Sequence, residues 1–410
     1  MMELIIEKQK KFANKILNKP VQIKFPIFPV QDKYLHYEQI NQFIVPTMEE
    51  VGTESIEKLQ ENMNSIIAEN ELFRAAFSKE KDNSRILKIF EYNEFIEIPV
   101  YTVDSLDQLK KLLENLGLDL MKRNPLDDLL YNLCFIQCND KAYFYGVFSH
   151  MLFDGSFDFQ KYLKEPSKMP ESTIEKFNNY LSKLELSSSV DFKKYSNIKE
   201  ELINKYLSEQ VINDSFEFSV DKFHRNSRIT VEEFWILVVF KSLLRVFTEL
   251  KDIPLNIITN GRKFSDIIFS KDFGDFHDEI VLVAQKDNID DKSIIELYRN
   301  LRKNPYLNSK AYSSVLNEVE KSCSYIEPFI LLISGDFPEV EKHQQLRELS
   351  PRTNRKYVLS IKVLVKPNFK DFKVMFRHSS KLCDKIDILK GLMREEATSI
   401  INEFGRDKND

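Results

Sequence analysis

Glycine is scarce, with 9 in 410 residues, while Lys, Ile, Asn and Phe abound; this bias reads as the mark of an AT-rich genome and carries little functional meaning. Cysteine is rarer still. Cys134, Cys138, Cys323 and Cys383 show no CxxC pair and no histidines at zinc-finger spacing, which excludes a zinc-finger site. Cys134 and Cys138, four apart on an expected strand, share a face but stand too far apart to bond, so they are expected to be reduced core residues. No stretch offers the ~20 apolar residues of a membrane span. Met1 to Pro20 is rich in Lys and Glu and lacks the apolar h-region of a signal peptide. A cytoplasmic protein without membrane attachment is therefore expected. An excess of basic charge is also missing: the formal net charge is -5, which argues against nucleic acid and anionic membranes as partners. His36, His224, His277, His343 and His378 lack metal-ligand spacing and read as solvated or packing residues, so no metal is expected. No Gly-x-Ser-x-Gly elbow occurs, which removes Ser149 and Ser156 as nucleophiles.

What is present is a folded α/β pattern, with 42% hydrophobic and 30% charged residues and enough length for two lobes. A helix is expected from Thr53, a plausible N-cap, with Ile56, Leu59, Met63, Ile66 and Ile67 on one face. Short β-rich runs follow at Arg85–Phe90 and Glu94–Val103, then a helix from Ser105 to about Lys122. Leu129–Gln137 and Lys141–Phe148 read as strands joined by the turn-forming Asn139-Asp140. The polar stretch from Lys164 to Asn197, with Pro166 and Pro170, marks the expected boundary, giving lobes 1–175 and 176–410. In the second lobe Thr230-Val231-Glu232-Glu233 is a capping-box pattern opening a strongly apolar helix through Leu250, with Trp235 in the core. Strands are expected at Leu255–Thr259, Glu279–Ala284, Pro328–Ser334, Val358–Val365 and Phe372–His378, and a closing helix over Lys385–Phe404. Strand–helix–strands thus occurs twice, pointing to two α/β lobes with mixed sheets and flanking helices.

The chemistry-bearing segment runs from Tyr143 to Gly155. An apolar strand ends at Ser149, and His150 follows at its exit, three residues before Asp154-Gly155. A strand end holds an imidazole on rigid backbone, and Asp-Gly makes a tight turn whose glycine permits close approach to the backbone. Histidine is the side chain best suited to take a proton near neutral pH.

This segment resembles the HHxxxDG motif of nonribosomal peptide synthetase condensation domains, and the HxxxD motif of BAHD acyltransferases and chloramphenicol acetyltransferases. Further pieces are similar in order. Pro26-Ile27-Phe28-Pro29-Val30-Gln31 resembles the N-terminal PLSPxQ segment, and Asn70 to Phe77 the HxxLRxxF that follows the first helix. Asn124-Pro125-Leu126-Asp127 resembles the lead into the strands before the histidine. Thr259-Asn260-Gly261-Arg262 looks like the xxGR strand, and Asp272 to Phe276 falls where GxFxN or DFGWG stands. Phe376-Arg377-His378 to Leu389 resembles the end strand and final helix. The chain departs from the pattern at three places: Ser149 replaces the first histidine, the stretch after Gly155 is shorter and more polar, and Asp278 stands near the position of the GxFxN asparagine.

The resemblance implies two chloramphenicol-acetyltransferase-like lobes forming a V-shaped pseudo-dimer with a tunnel at their junction. It implies His150 as the catalytic residue, Gly155 supplying a backbone amide near an oxyanion, and Ser149 and Ser156 as hydrogen-bond donors beside it. Asp154 would pair with an arginine, Arg262 first and Arg74 second, and Gly274 would belong to a loop bordering the tunnel. The implied reaction joins an acyl or peptidyl thioester, on the phosphopantetheine of a carrier protein, to an amine or hydroxyl of a small-molecule acceptor. No bound cofactor is implied, and a monomer meeting its partners in trans, or excised from a larger protein, is expected. Two other readings stay open: an acyl-coenzyme A-dependent O- or N-acyltransferase, and a degenerate domain that binds carrier proteins or other partners without turnover.

Overall fold

The chain divides into two compact units in the computed structural model. It describes residues 2–27, 31, 35, 44–52, 54–138, 141–155, 157–169, 175–176, 192–220, 228–260, 263–264, 267–268, 277–285, 290–302, 327–335, 358–368 and 370–404. The first compact unit comprises Met1–Leu184, Arg262–Phe276 and Glu341–Asn354, and the second comprises Glu185–Gly261, His277–Val340 and Arg355–Asp410. The division is not a single cut at 175/176. Compactness is set by contacts between residues distant in sequence, which a polar stretch does not reveal.

In the first unit, β2 (Ile44–Gly52), β5 (Val100–Val103), β6 (Tyr131–Cys138) and β7 (Lys141–Ser149) form a sheet in the order β2-β7-β6-β5. Strand β7 is antiparallel to both neighbours, and β5 runs parallel to β6. A second, antiparallel sheet joins β1 (Val21–Pro26), β4 (Arg85–Phe90) and β3 (Ala75–Lys79) in the order β1-β4-β3. Helices α1 (Met2–Leu17) and α3 (Leu106–Met121) supply Ile5, Leu112, Leu113 and Leu116 to one core, against Cys134, Ile136, Tyr145 and Val147 of β6 and β7. This is the period-2 alternation of strands meeting the helical stripe.

Helix α2 (Ile56–Glu69) is capped by Ser55, whose Oγ accepts from the Lys58 amide at 3.2 Å. The expected cap, Thr53, lies outside the described residues. The expected strand over Glu94–Val103 is confined to Val100–Val103. The reason is visible on α2, where buried Gln60 and Asn64 take the place of a partner strand. Gln60 donates to the Ile98 carbonyl at 2.7 Å and accepts from its amide at 2.8 Å. Asn64 does the same with Ile96, at 2.9 and 2.7 Å. The backbone of 96–98 is thereby satisfied by side-chain amides one helical turn apart.

The second unit is built on a six-stranded mixed sheet. Its members are β8 (Val211–Ser219), β9 (Asp252–Asn260), β10 (His277–Gln285), β11 (Phe329–Gly335), β12 (Leu359–Val365) and β13 (Asp371–Ser379). The order is β10-β9-β11-β12-β13-β8, with β11 parallel to both β9 and β12. Helices α5 (Phe192–Tyr206), α6 (Val231–Val246), α7 (Asp291–Arg302) and α8 (Cys383–Phe404) complete it. Residues Phe234 to Phe240 of α6 are all essentially inaccessible, so apolar side chains all round place the helix at the centre of this core. The capping box forms as expected: Glu233 N–H donates to Thr230 Oγ1 at 3.1 Å, and Thr230 N–H to Glu233 Oε2 at 2.8 Å. Among the described residues, no helix is long and apolar enough to cross a membrane.

Burial pushes the Glu233 carboxyl up, but hydrogen bonds from Arg299 and from the Thr230 amide outweigh it and hold its pKa below the ordinary carboxylate value. A depressed folded pKa contributes stability above the unfolded value, and that stability is lost as pH falls through the folded one. Glu233→Gln is therefore expected to lower the melting temperature near neutrality. Thermal scans should show the gap from wild type closing as pH drops below about 4.

Candidate active site

Strand β7 is held on both sides, so its exit point is fixed: Ser149 pairs with Ile44 of β2, and Phe148 with both Val45 and Tyr131. His150 is the next residue, and the chain reverses there. Ser149 closes the reversal with three groups. Its N–H donates to the Leu130 carbonyl at 2.8 Å, and its own carbonyl accepts from the amides of Leu152 at 2.9 Å and Phe153 at 3.2 Å. Its hydroxyl accepts from the Met151 amide at 3.4 Å. The residue is fully buried, and its backbone and hydroxyl hold the turn. Met151, Leu152 and Phe153 are also buried, while His150 and Asp154 are half-buried. A histidine with partial access thus sits on a turn whose other apolar side chains anchor it in the core.

Two elements brace this turn. Gln31 is wholly buried and donates from Nε2 to the Met151 carbonyl at 3.0 Å, across 120 residues of sequence. Below the turn lies a bed of aromatic rings. Phe148 lies 4.7 Å from Phe153 and 5.5 Å from Phe159, centroid to centroid, and Phe159 lies 4.8 Å from Phe157. Phe148 can fold over its own strand only because residue 146 is glycine, since a Cβ there would lie 2.6 Å from the Phe148 ring. Gly155 has φ +92°, in the region that favours glycine, and a Cβ there would stand 3.4 Å from Val45 Cγ1. Among the described residues the Gly155 amide donates to no protein acceptor.

Arg74 is a correction to the expected site. Its buried guanidinium donates to the Ile67 and Ala68 carbonyls at 3.0 and 3.3 Å, to Phe90 O at 2.6 Å and to Gln22 Oε1 at 3.0 Å. It closes the C-terminal end of α2 and ties it to β4 and is not the partner of Asp154. Burial draws its pKa below the usual guanidinium value. Arg262, Gly274 and Ser156 lie outside the described residues. Cys134 is buried, and burial pushes its thiol well up, as a reduced core cysteine requires; Cys138 is half-buried. His378 is buried and its Nδ1 lies 2.9 Å from the Ser379 carbonyl, a packing role. In the sequence, the brace from Gln31 has no sign beyond the residue's place at the end of the Pro26–Gln31 segment.

The fold defines a class. The chain is similar to the epimerization domain from the third module of tyrocidine synthetase B (TM-score 0.60, 12% identity, 94% of this chain and 97% of that one). It is similar to the condensation domain of the monacolin K polyketide synthase (TM-score 0.59, 12% identity, 94% and 99% covered). The starter condensation domain of rhizomide synthetase gives a TM-score of 0.59 at 12% identity, with 92% and 97% covered. No protein-family model and no curated protein matches the chain. The chain therefore has the condensation-domain fold, an α/β architecture with mixed sheets and flanking helices.

If the Gln31 bond holds the turn, Gln31→Leu leaves a buried carbonyl without its donor. Urea unfolding should show a loss of about 1–3 kcal/mol. Amide hydrogen exchange should accelerate at Met151 to Gly155 before it does so in β6.

Proposed function

We propose that the protein is an acyltransferase of the condensation type, joining a thioester-bound acyl or peptidyl group to an amine or hydroxyl acceptor. The observation that carries this reading is the half-buried His150 at a strand exit paired on both sides, on the same turn as Gly155, whose amide donates to no protein acceptor among the described residues. In the proposed step His150 takes the proton of the acceptor N–H or O–H as its lone pair attacks the thioester carbonyl. The carbonyl oxygen gains negative charge, which the Gly155 amide stabilises. The tetrahedral intermediate collapses with loss of the C–S bond, and the thiolate takes up the proton from the imidazolium. The thioester supplies a good leaving group, so positioning and proton removal suffice. The donor in this reading is a phosphopantetheine thioester on a carrier protein, and the product an amide or ester.

Ser149 stands where the motif has its first histidine. The serine closes the turn with backbone bonds of its own, so the imidazole of His150 keeps its platform. The fold likeness extends equally to an epimerization domain, and the choice of acyl transfer rests on the thioester chemistry suited to the site, not on the fold.

His150→Ala is expected to lower amide or ester formation by roughly 10²–10⁴-fold while leaving circular dichroism and melting unchanged. Mass spectrometry of carrier-bound product reads the outcome. Full activity in the variant would contradict the assignment, and turnover of acyl-coenzyme A in place of acyl-carrier would redirect the donor.

A further inference from the structure

The histidine turn is tied to the backbone just before β6. Ser149 N–H donates to the Leu130 carbonyl at 2.8 Å, one residue ahead of the strand's start at Tyr131. Carbonyls of an extended chain point alternately to its two edges, so those of Leu129, Tyr131 and Leu133 face away from β7. Strand β5 does not reach them: among the described residues it pairs with β6 only over Phe135–Cys138, and Pro99 O accepts from the Phe135 amide at 2.9 Å. Side chains take over where β5 stops. Gln9 of α1 donates from Nε2 to Leu133 O at 2.9 Å. Arg123 donates from Nη1 to both Leu129 O and Tyr131 O, the second at 2.9 Å.

Arg123 stands two residues beyond α3 and is itself held in place. Its Nη2 donates to Asp119 Oδ2 at 2.8 Å and to Asn132 Oδ1. Asn132 Nδ2 donates in turn to Leu116 O at 2.8 Å and to Asp119 Oδ2 at 3.0 Å. The Arg123 and Asp119 side chains are only 12% and 13% exposed, so water competes little for these bonds. A planar fork can grip two carbonyls along a strand while facing a carboxylate, which the point charge of a lysine cannot do. Arg74 is a contrast within the same unit: its bonds go to the end of α2, to Phe90 O and to Gln22. The carbonyls that Arg123 holds are the two flanking the one that receives Ser149.

We propose that Arg123, anchored by Asp119, is a positioning residue for His150. By gripping Leu129 and Tyr131 on one edge it sets where the Leu130 carbonyl stands on the other, and through Ser149 where the imidazole stands. It acts through that bond and not on the substrate. Its effect on turnover rests on the acyltransferase reading above; its effect on the ring does not. A reacting group misplaced by about 1 Å can cost on the order of 10²-fold in rate.

The test is made on the full chain carrying isotope-labelled histidine, with the His150 Cε1–H resonance assigned by its loss in His150→Ala. Turnover is followed with a short-chain acyl-pantetheine thioester and a simple amine. Arg123→Lys keeps the charge but not the fork. It should move the His150 resonance and lower kcat by about tenfold or more, with KM for the thioester within about twofold of wild type. Asp119→Asn leaves the guanidinium without its counter-charge and should act in the same direction to a smaller degree; it decides the matter if Arg123→Lys does not fold. Arg74→Lys should lower the melting temperature and leave the His150 resonance and kcat as in wild type. An unmoved resonance, or an unchanged kcat in an active enzyme, overturns the proposal. Equal movement in Arg74→Lys also overturns it, because the change is then a general loosening of the unit. The two readings fail separately: a wild type without turnover sinks the transferase reading and leaves the resonance to decide the role of Arg123, whereas turnover with an unmoved resonance sinks that role alone.

Discussion

The site depends on one carbonyl. Ser149 O receives the amides of both Leu152 and Phe153, and that clasp converts the end of a straight strand into a turn with a histidine at its apex. Each such bond is worth only about 1 kcal/mol net, but a buried carbonyl left unpaired costs more, so the turn is fixed chiefly by the penalty of opening it. The strand delivering Ser149 is paired on both edges, and the side chains that follow are sunk into aromatic packing. The backbone of His150 is therefore held by its neighbours on both sides of the turn. That is the arrangement a proton-transfer group needs, since its ring must stay accessible to substrate while its backbone does not move.

The first unit relies repeatedly on side-chain amides and guanidinium groups where its strands stop short. Gln60 and Asn64 serve the backbone of 96–98, Gln31 serves Met151, Asn132 donates to Leu116 O at 2.8 Å, and Arg74 closes the end of α2. These groups are buried, and they are tolerable there because their donors meet backbone acceptors. Arg74 shows why residue type alone misleads. A buried arginine near a motif suggests a carboxylate partner, yet a planar fork of donors satisfies several carbonyls equally well.

Much of the architecture is legible from pattern. The alternation of Leu359, Ile361, Val363 and Val365 marks β12, and the capping box at Thr230 marks the start of α6, because both depend on short-range physics. Strand β8 and helix α1 are not legible in the same way. Strand β8 alternates weakly, with Asn213, Ser215, Glu217 and Ser219 exposed, and α1 is masked by its lysines. At the site, His150 and Gly155 stand out because strand exit, histidine and Asp-Gly occur together. The brace from Gln31 joins residues 120 positions apart, a relation carried by tertiary packing and by no local spacing.

At 10–12% identity, the likeness to solved condensation and epimerization domains extends to the fold alone. The fold thus supplies the frame, and the turn after β7 supplies the reason to read it as a reaction centre. The most direct measurement is a crystal structure with a hydrolysis-resistant pantetheine-linked acyl–acceptor analogue. The account predicts the acceptor heteroatom within about 3.2 Å of a His150 ring nitrogen, with the analogue's carbonyl oxygen facing the Gly155 amide. An analogue bound with neither group in reach of this turn would contradict it.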